Sequence, residues 1–296
     1  MVRKVSAQNM NIKRTLIDIV KRLLPKVLFQ GLVRPAVRTV FSLIYGRRGY
    51  KIDIGGQGVF RMSPDLAFRG WERFGDRHNW GFAKCLDSCK GESVFLDVGA
   101  HVGLYSLPAS RALVAGGRVF AFEPSLGAYN YLVRNIAYNR FTNILAHNVA
   151  VAGSEVPGVP FYERIDPDSA TSGLIMRPKD AEDRFSLTKV QQVSLDWFCD
   201  ENNVVPGVIK IDTEGSELLV LKGARTVLAK HRPLLFLSAH PSHLRALGQS
   251  TEEVVALLVD LEYAIIDKAD ESVTSIESGE YICIPRENRD ATTTVV

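Results

Sequence analysis

From Val94 to Pro285 short apolar runs alternate with longer amphipathic segments, and that alternation leaves few folds open. Strand-like runs at Val94–Gly99, Arg118–Phe122, Ile144–Val151, Val208–Asp212 and Leu234–Ala239 are followed or separated by helix-like segments at Leu104–Val114, Leu126–Asn139 and Ser216–Lys230. A helix Thr251–Leu261 and strands Tyr263–Asp267 and Tyr281–Pro285 close the series. Strands joined through helices of this length must run mainly parallel in one sheet. The last two strands have no helix between them, so one of them is expected to be antiparallel. The expectation is an α/β fold with a seven-stranded, mainly parallel sheet and helices on both faces. Between the third and fourth strands, residues 153–198 form an insertion with β-like pieces at Val159–Ile165, Gly173–Met176 and Val190–Leu195. Its polar stretch Asp166–Gly173 reads as a lid over an active site.

In open α/β sheets, ligands bind beyond the carboxyl ends of the strands. Three strand ends here carry the polar residues that matter. The first is Asp97-Val-Gly-Ala-His-Val-Gly103, where two glycines four apart precede a helix whose first N–H groups lack partners. A dinucleotide fingerprint would read G-x-G-x-x-G, and this turn does not. A carboxylate inside an apolar strand end is costly unless paired, so Asp97 should face a ligand bearing positive charge or a backbone network. The second is Glu123, 26 residues after Asp97 and placed to accept hydrogen bonds from ribose hydroxyls. Its bland alternative is an acid capping the following helix.

The third is Lys210-Ile-Asp-Thr-Glu-Gly-Ser-Glu217, with three acids in six residues. Asp212 and Glu214 beside a ligand crevice suggest proton transfer or cofactor positioning, whereas Glu217 suits a helix N-terminus. His240, at the end of Leu234–Ala239, is a candidate base for an acceptor hydroxyl; a loop or supporting histidine is the competing reading. The pair His240 and His243 lacks a third metal ligand, and Cys85 and Cys89 lack a second pair, so no metal is expected.

Asp97–Gly103, Phe122-Glu-Pro124, Ile209–Glu217 and Leu221-Lys-Gly-Ala224 together resemble the motifs of the FkbM family of S-adenosylmethionine-dependent methyltransferases. The resemblance covers about residues 90–268. It implies a Rossmann-like class I methyltransferase fold, S-adenosyl-L-methionine as cofactor, and O-methylation of a hydroxyl on a sugar, glycolipid or polyketide-like acceptor. By position it implies Asp97, Gly99, His101 and Gly103 at the methionine part of the cofactor and Glu123 at the ribose. Asp212 and Glu214 would lie at cofactor and acceptor. The residues themselves, apart from the resemblance, offer Asp212 or His240 as the catalytic group that takes the acceptor's proton. His101 stands where the family usually has Asn. Two other readings are an NAD-linked oxidoreductase, disfavoured by the missing fingerprint, and a non-catalytic membrane-docking protein.

Ahead of the sheet, charge is unevenly spread. Residues 1–51 hold 12 of the 36 Lys and Arg but one of the 33 acids, which leaves 24 bases against 32 acids in the remainder. Ile12, Leu16, Ile19, Leu23 and Val27 fall on one helical face, and a second apolar-basic stretch runs from Ala36 to Tyr45. Residues 1–49 therefore read as a basic amphipathic arm, either a cap on the enzyme or a peripheral contact with an anionic membrane. The dispersed bases and few aromatics argue against a nucleic-acid partner. Residues 50–89 read as a lead-in hairpin (Tyr50–Met62) and a helix (Trp80–Cys89), residues 90–287 as the catalytic domain, and 288–296 as a frayed tail. No apolar run approaches the roughly 20 residues of a membrane span. No signal-peptide pattern opens the chain, and four cysteines fit free thiols in a reducing cytoplasm.

Overall fold

A computed structural model describes residues 34–66, 74–76, 79–164 and 185–288. The chain divides into two compact units, one of residues 1–50 with 63–69 and one of residues 51–62 with 70–296.

In the first unit, helix α1 (Arg34–Tyr45) and a single 3-10 turn (Pro64–Leu66) are joined by side chains. Ser42 Oγ donates to Asp65 Oδ1 at 2.9 Å, and the Tyr50 hydroxyl donates to the Leu66 carbonyl at 3.1 Å. Val40, Leu43 and Ile44, at i, i+3 and i+4, are 52%, 82% and 63% exposed. The apolar face expected over Ile12–Val27 lies outside the described residues.

The second unit holds the sheet. A hairpin, β1 (Tyr50–Asp53) and β2 (Val59–Met62), and helix α2 (Phe82–Ser88) lead into it. The alternation then follows: β3 (Val94–Val98), α3 (Ser106–Ala112), β4 (Arg118–Phe122), α4 (Leu126–Asn139) and β5 (Ile144–His147). After an insertion come β9 (Val208–Ile211), α6 (Glu217–Lys222), α7 (Arg225–His231), β10 (Leu234–Ala239), α8 (Pro241–Ala246), α9 (Thr251–Asp260), β11 (Tyr263–Ile266), β12 (Ser272–Val273) and β13 (Gly279–Pro285). The insertion carries β6 (Ala150–Val151), β7 (Val156–Arg164), β8 (Phe185–Val193) and α5 (Leu195–Glu201).

The main sheet has the order β12-β11-β13-β10-β9-β3-β4-β5, eight strands where seven were expected. The additional one, β12, is a two-residue edge strand, too short to show as an apolar run. From β10 to β5 every pairing is parallel, while β13 runs antiparallel to both β10 and β11. This order agrees with the Rossmann-like fold that the resemblance implied. Every residue of β3 and β9 is buried, as parallel strands covered by other layers require, and so is every residue of the antiparallel-paired β11.

The register brings the chemistry to one edge. Val98 pairs with both Phe122 and Ile211, and Ile211 pairs with Leu237, so strands β4, β3, β9 and β10 end in one row. The chain proceeds outward from β3 to β4 and β5, then returns to β9 on the other side of β3. The β3/β9 crevice is thus the switch point where such sheets bind ligands.

Three boundaries differ from expectation. The run Ile144–Val151 is two strands: β5 pairs with β4, whereas β6 leaves to pair with β8 in a three-stranded sheet of order β6-β8-β7. The strand expected at Val190–Leu195 is the end of the longer β8. Ser194 stops it by capping α5, its Oγ accepting the Trp197 N–H at 3.1 Å. The helix expected over Ser216–Lys230 breaks at Gly223, where a Cβ would meet the Ala152 carbonyl oxygen at 2.1 Å. Gly173–Met176 and the lid segment Asp166–Gly173 lie outside the described residues. All four cysteines are buried free thiols.

Candidate active site

The first turn, residues 99–103, is tied to its neighbours by backbone bonds. The Gly99 and Ala100 N–H groups both donate to the Phe122 carbonyl at 3.0 Å. Gly99 (φ 80°) passes so close to the next turn that a Cβ would fall 1.8 Å from the Asp212 carbonyl oxygen. Gly103 (φ 92°) would place a Cβ 2.8 Å from Leu132 Cδ1. Both glycines are therefore demanded by packing within the protein, where the sequence had suggested close approach of a ligand. His101 has φ 50°, the left-handed region that Asn visits more readily. Its N–H donates to Glu123 Oε2 at 2.7 Å.

Glu123 sits just beyond β4 and bridges two turns. While Oε2 receives His101, Oε1 accepts the Ser125 N–H at 2.8 Å. Burial pushes its pKa up to about 7, against the opposing effect of the two N–H donors. Each oxygen retains a lone pair for a further donor. Ser125, rather than Glu123, caps α4 through its own hydroxyl, so the capping alternative for Glu123 does not apply.

Asp97 is fully buried, 0% exposed, and meets a cation supplied by the chain itself. Lys210, 5% exposed on β9, places Nζ 3.4 Å from Asp97 Oδ1 and 3.6 Å from Asp212 Oδ2. The same ammonium donates to the Gly99 carbonyl at 3.0 Å and lies 5.0 Å from the Tyr105 ring centre. Desolvation alone would depress the lysine, but Asp97, Asp212 and Glu280 outweigh it and hold the pKa above its usual value. Asp97 Oδ2 accepts from the Ser106 hydroxyl, whereas Oδ1 has no hydrogen-bond partner. Lys210 was not singled out from sequence; the available signal was a lysine between two isoleucines of a buried strand.

The third strand end gathers the acids and histidines. Asp212 follows β9, its N–H bound to the Val98 carbonyl at 3.0 Å. His240 follows β10, the next strand of the sheet. Its Nε2 lies 3.9 Å from Asp212 Oδ1, and its Nδ1 lies 2.7 Å from Glu217 Oε1. Glu217, 1% exposed, also accepts the Gly215 N–H at 2.9 Å through the same oxygen, so it closes its own turn and anchors the imidazole. Sequence assigned Glu217 the first task and missed the second. His240 is partly buried, which disfavours its charge, but Glu217, Asp212 and Glu214 prevail and raise its pKa to about 9. Glu214 Oε2 lies 3.2 Å from His243 Nδ1, and the rings of His240 and His243 stack with centres 5.7 Å apart. Among the described residues, one ligand atom each from Asp212, Glu214 and His240 lie within 4.8 Å of one another.

Glu280, on β13, completes the charged group from beyond β10. It accepts from the Ser238 hydroxyl at 2.6 Å, and its pKa is raised by burial and by Asp212. All the predicted residues thus lie on the single row of strand ends, in two neighbourhoods joined by Lys210.

Residues 97–265 match the Methyltransferase FkbM domain, more than half of the chain. No curated protein matches the chain in sequence. A solved FkbM methyltransferase from Methylobacillus flagellatus is similar at 21% identity and a TM-score of 0.40, over 65% of this chain and 43% of that one. A precorrin-6y C5,15-methyltransferase from Geobacter metallireducens shares 15% identity with a TM-score of 0.38, covering 68% and 85% respectively. A SAM-dependent methyltransferase from Aquifex aeolicus shares 16%, with a TM-score of 0.35 and coverage of 66% and 84%.

Proposed function

Because the chain belongs to the FkbM family of S-adenosylmethionine-dependent methyltransferases, we propose that it methylates a hydroxyl oxygen of a sugar, glycolipid or polyketide-like acceptor. The cofactor supplies an activated methyl group that an oxygen nucleophile can take in one displacement. The residues present suit such a cofactor. Asp97 Oδ1 is a buried acceptor whose nearest donor, the Lys210 ammonium, stands off at 3.4 Å, and Glu123 offers its remaining lone pairs one strand away. In this reading Asp97 and the backbone of Gly99, His101 and Gly103 hold the methionine part, Glu123 receives the ribose hydroxyls, and Asp212 with Glu214 borders both cofactor and acceptor.

One observation favours a hydroxyl acceptor. His240 is oriented by the buried Glu217 through Nδ1, which leaves Nε2 beside Asp212 at the strand edge. An alcohol must lose its proton as the new bond forms, and the Asp212 carboxylate at that edge can take it. His240 stands beside that carboxylate, its pKa of about 9 keeping it charged near neutral pH, and can itself take the proton only at higher pH. Asp212 or His240 takes the proton, while positioning supplies much of the acceleration.

Titration calorimetry with S-adenosylmethionine, followed by methyl transfer to glycan and lipid extracts with the product analysed for a methyl ether, tests the reading. Methylation at nitrogen or carbon alone would overturn the hydroxyl assignment. Absence of cofactor binding in the wild type would overturn the role of the turn.

The exposed Val40, Leu43 and Ile44 of α1, followed by exposed Arg47 and Arg48, support a peripheral contact with anionic lipid. The full chain should then sediment with phosphatidylglycerol vesicles and not with phosphatidylcholine. Equal behaviour with both would remove this part of the proposal.

A further inference from the structure

We propose that Asp212, Glu214 and His240 form a binding site for a divalent metal ion that holds the acceptor oxygen at the mouth of the β9/β10 edge. This inference rests on the hydroxyl-methylation reading and names an inorganic partner for it.

The three donors come from two adjacent strand ends, so the sheet itself sets their spacing. Donors about 2.1 Å from a metal lie about 3.0 Å apart at a right angle and about 4.2 Å apart when opposite. The 3.9 Å between His240 Nε2 and Asp212 Oδ1 is too long for a hydrogen bond and falls inside that range. All three donor atoms lie within 4.8 Å of one another, so closure around an ion requires only small side-chain movement.

Glu217 supplies an independent indication. It is 1% exposed and binds the far nitrogen of His240, which turns Nε2 outward; metal-binding histidines are oriented by a carboxylate in the same manner. Its other oxygen, Oε2, is buried and has no hydrogen-bond partner. The nearby cation, Lys210, is already divided between Asp97 and Asp212 at 3.4 and 3.6 Å. His243 lies 3.2 Å from Glu214, so three carboxylates, Asp212, Glu214 and Glu217, share this partly open edge with two histidines and half of one lysine.

Two carboxylate oxygens and one imidazole nitrogen, with no thiolate, suit manganese or magnesium with the remaining positions left to water or substrate. Adjacent hydroxyls of a sugar are ligands of the right hardness for those positions. An ion here makes His240 a ligand, its ring proton leaving to solvent, and the charge of the metal acidifies the hydroxyl it holds, whose proton passes to solvent at the open edge.

The test uses the full chain stripped with chelator and titrated with Mn2+, free metal being read by electron paramagnetic resonance. Cofactor affinity is followed separately by calorimetry. The expected result is one Mn2+ per chain, displaced by excess Mg2+. Binding should weaken at least about tenfold in Asp212→Asn and in His240→Ala, and about 10- to 100-fold in Glu217→Gln, in which every direct ligand is retained. A wild type that binds S-adenosylmethionine but no Mn2+ overturns the metal site and leaves the methyltransferase reading intact. Mn2+ binding unchanged in Asp212→Asn and His240→Ala overturns it equally. Failure of the stripped wild type to bind S-adenosylmethionine would instead count against the cofactor assignment.

Discussion

Gly99 and Asp212 meet across the switch point of the sheet, the glycine giving up a side chain so that the aspartate carbonyl can occupy its place. A Cβ at residue 99 would stand 1.8 Å from that oxygen, and the backbone there has φ 80°. Gly99→Ala should therefore cost about 3–5 kcal/mol, combining a steric clash with left-handed strain. Urea unfolding measures it, and a loss below about 1 kcal/mol would show that the two turns can part.

His101 carries the opposite opportunity. It holds a left-handed conformation that Asn adopts with less strain, and its contribution to Glu123 is a backbone N–H that any residue provides. His101→Asn should raise stability by about 0.5–1 kcal/mol and leave cofactor affinity unchanged. Weakened affinity with raised stability would mean that the imidazole itself touches the ligand.

Glu123 should make cofactor binding pH-dependent. Its folded-state pKa is raised to about 7, mainly by burial. Ribose hydroxyls donate to the ionised form, so binding is favoured above that pH and must expel a proton below it. The Kd for S-adenosylmethionine should rise as pH falls from 8 to 6, approaching about tenfold per pH unit at the acid end. Glu123→Gln should bind weakly at both values with that contribution removed. A Kd in the wild type that ignores pH would show that the carboxylate is not the ribose partner.

Ser194 ends one element and begins another. Its hydroxyl accepts from the Trp197 N–H and donates to Glu155 Oε1. Ser194→Ala should lower stability by about 1 kcal/mol, seen as a lower denaturant midpoint with unchanged slope.

What sequence could reveal followed the range of its signals. Strand β4 and helix α4 have the bounds that apolar runs and turn residues imply, because burial on one strand or one helical face is a local property. Partner choice is not local. Nothing in Ile144–Val151 announces that its first half belongs to β4 and its last two residues to β8. Glu217 satisfies the rule for a helix N-terminus, so the pattern offered no reason to look for His240, 23 residues away and on the adjoining strand. Lys210 was hidden for a related reason. A single charge inside an apolar run reports only that something must pair with it, and both of its acids lie at strand ends that the fold alone brings near. The Asp97, Glu123 and Asp212 positions were legible because strand-end acids in an alternating α/β chain share one edge whatever the details of packing.

The position of Lys210 makes the site unequal in what it can lose. One ammonium serves two carboxylates on neighbouring strands, so neutralising either acid leaves the lysine still matched by the other. Removing the lysine leaves Asp97 and Asp212 as like charges with no counter-ion between them, one wholly buried and the other partly so. Lys210→Met should consequently damage folding more than Asp97→Asn or Asp212→Asn, seen as the lowest denaturant midpoint of the three. For folding alone either acid can be lost singly, but the cation between them must stay.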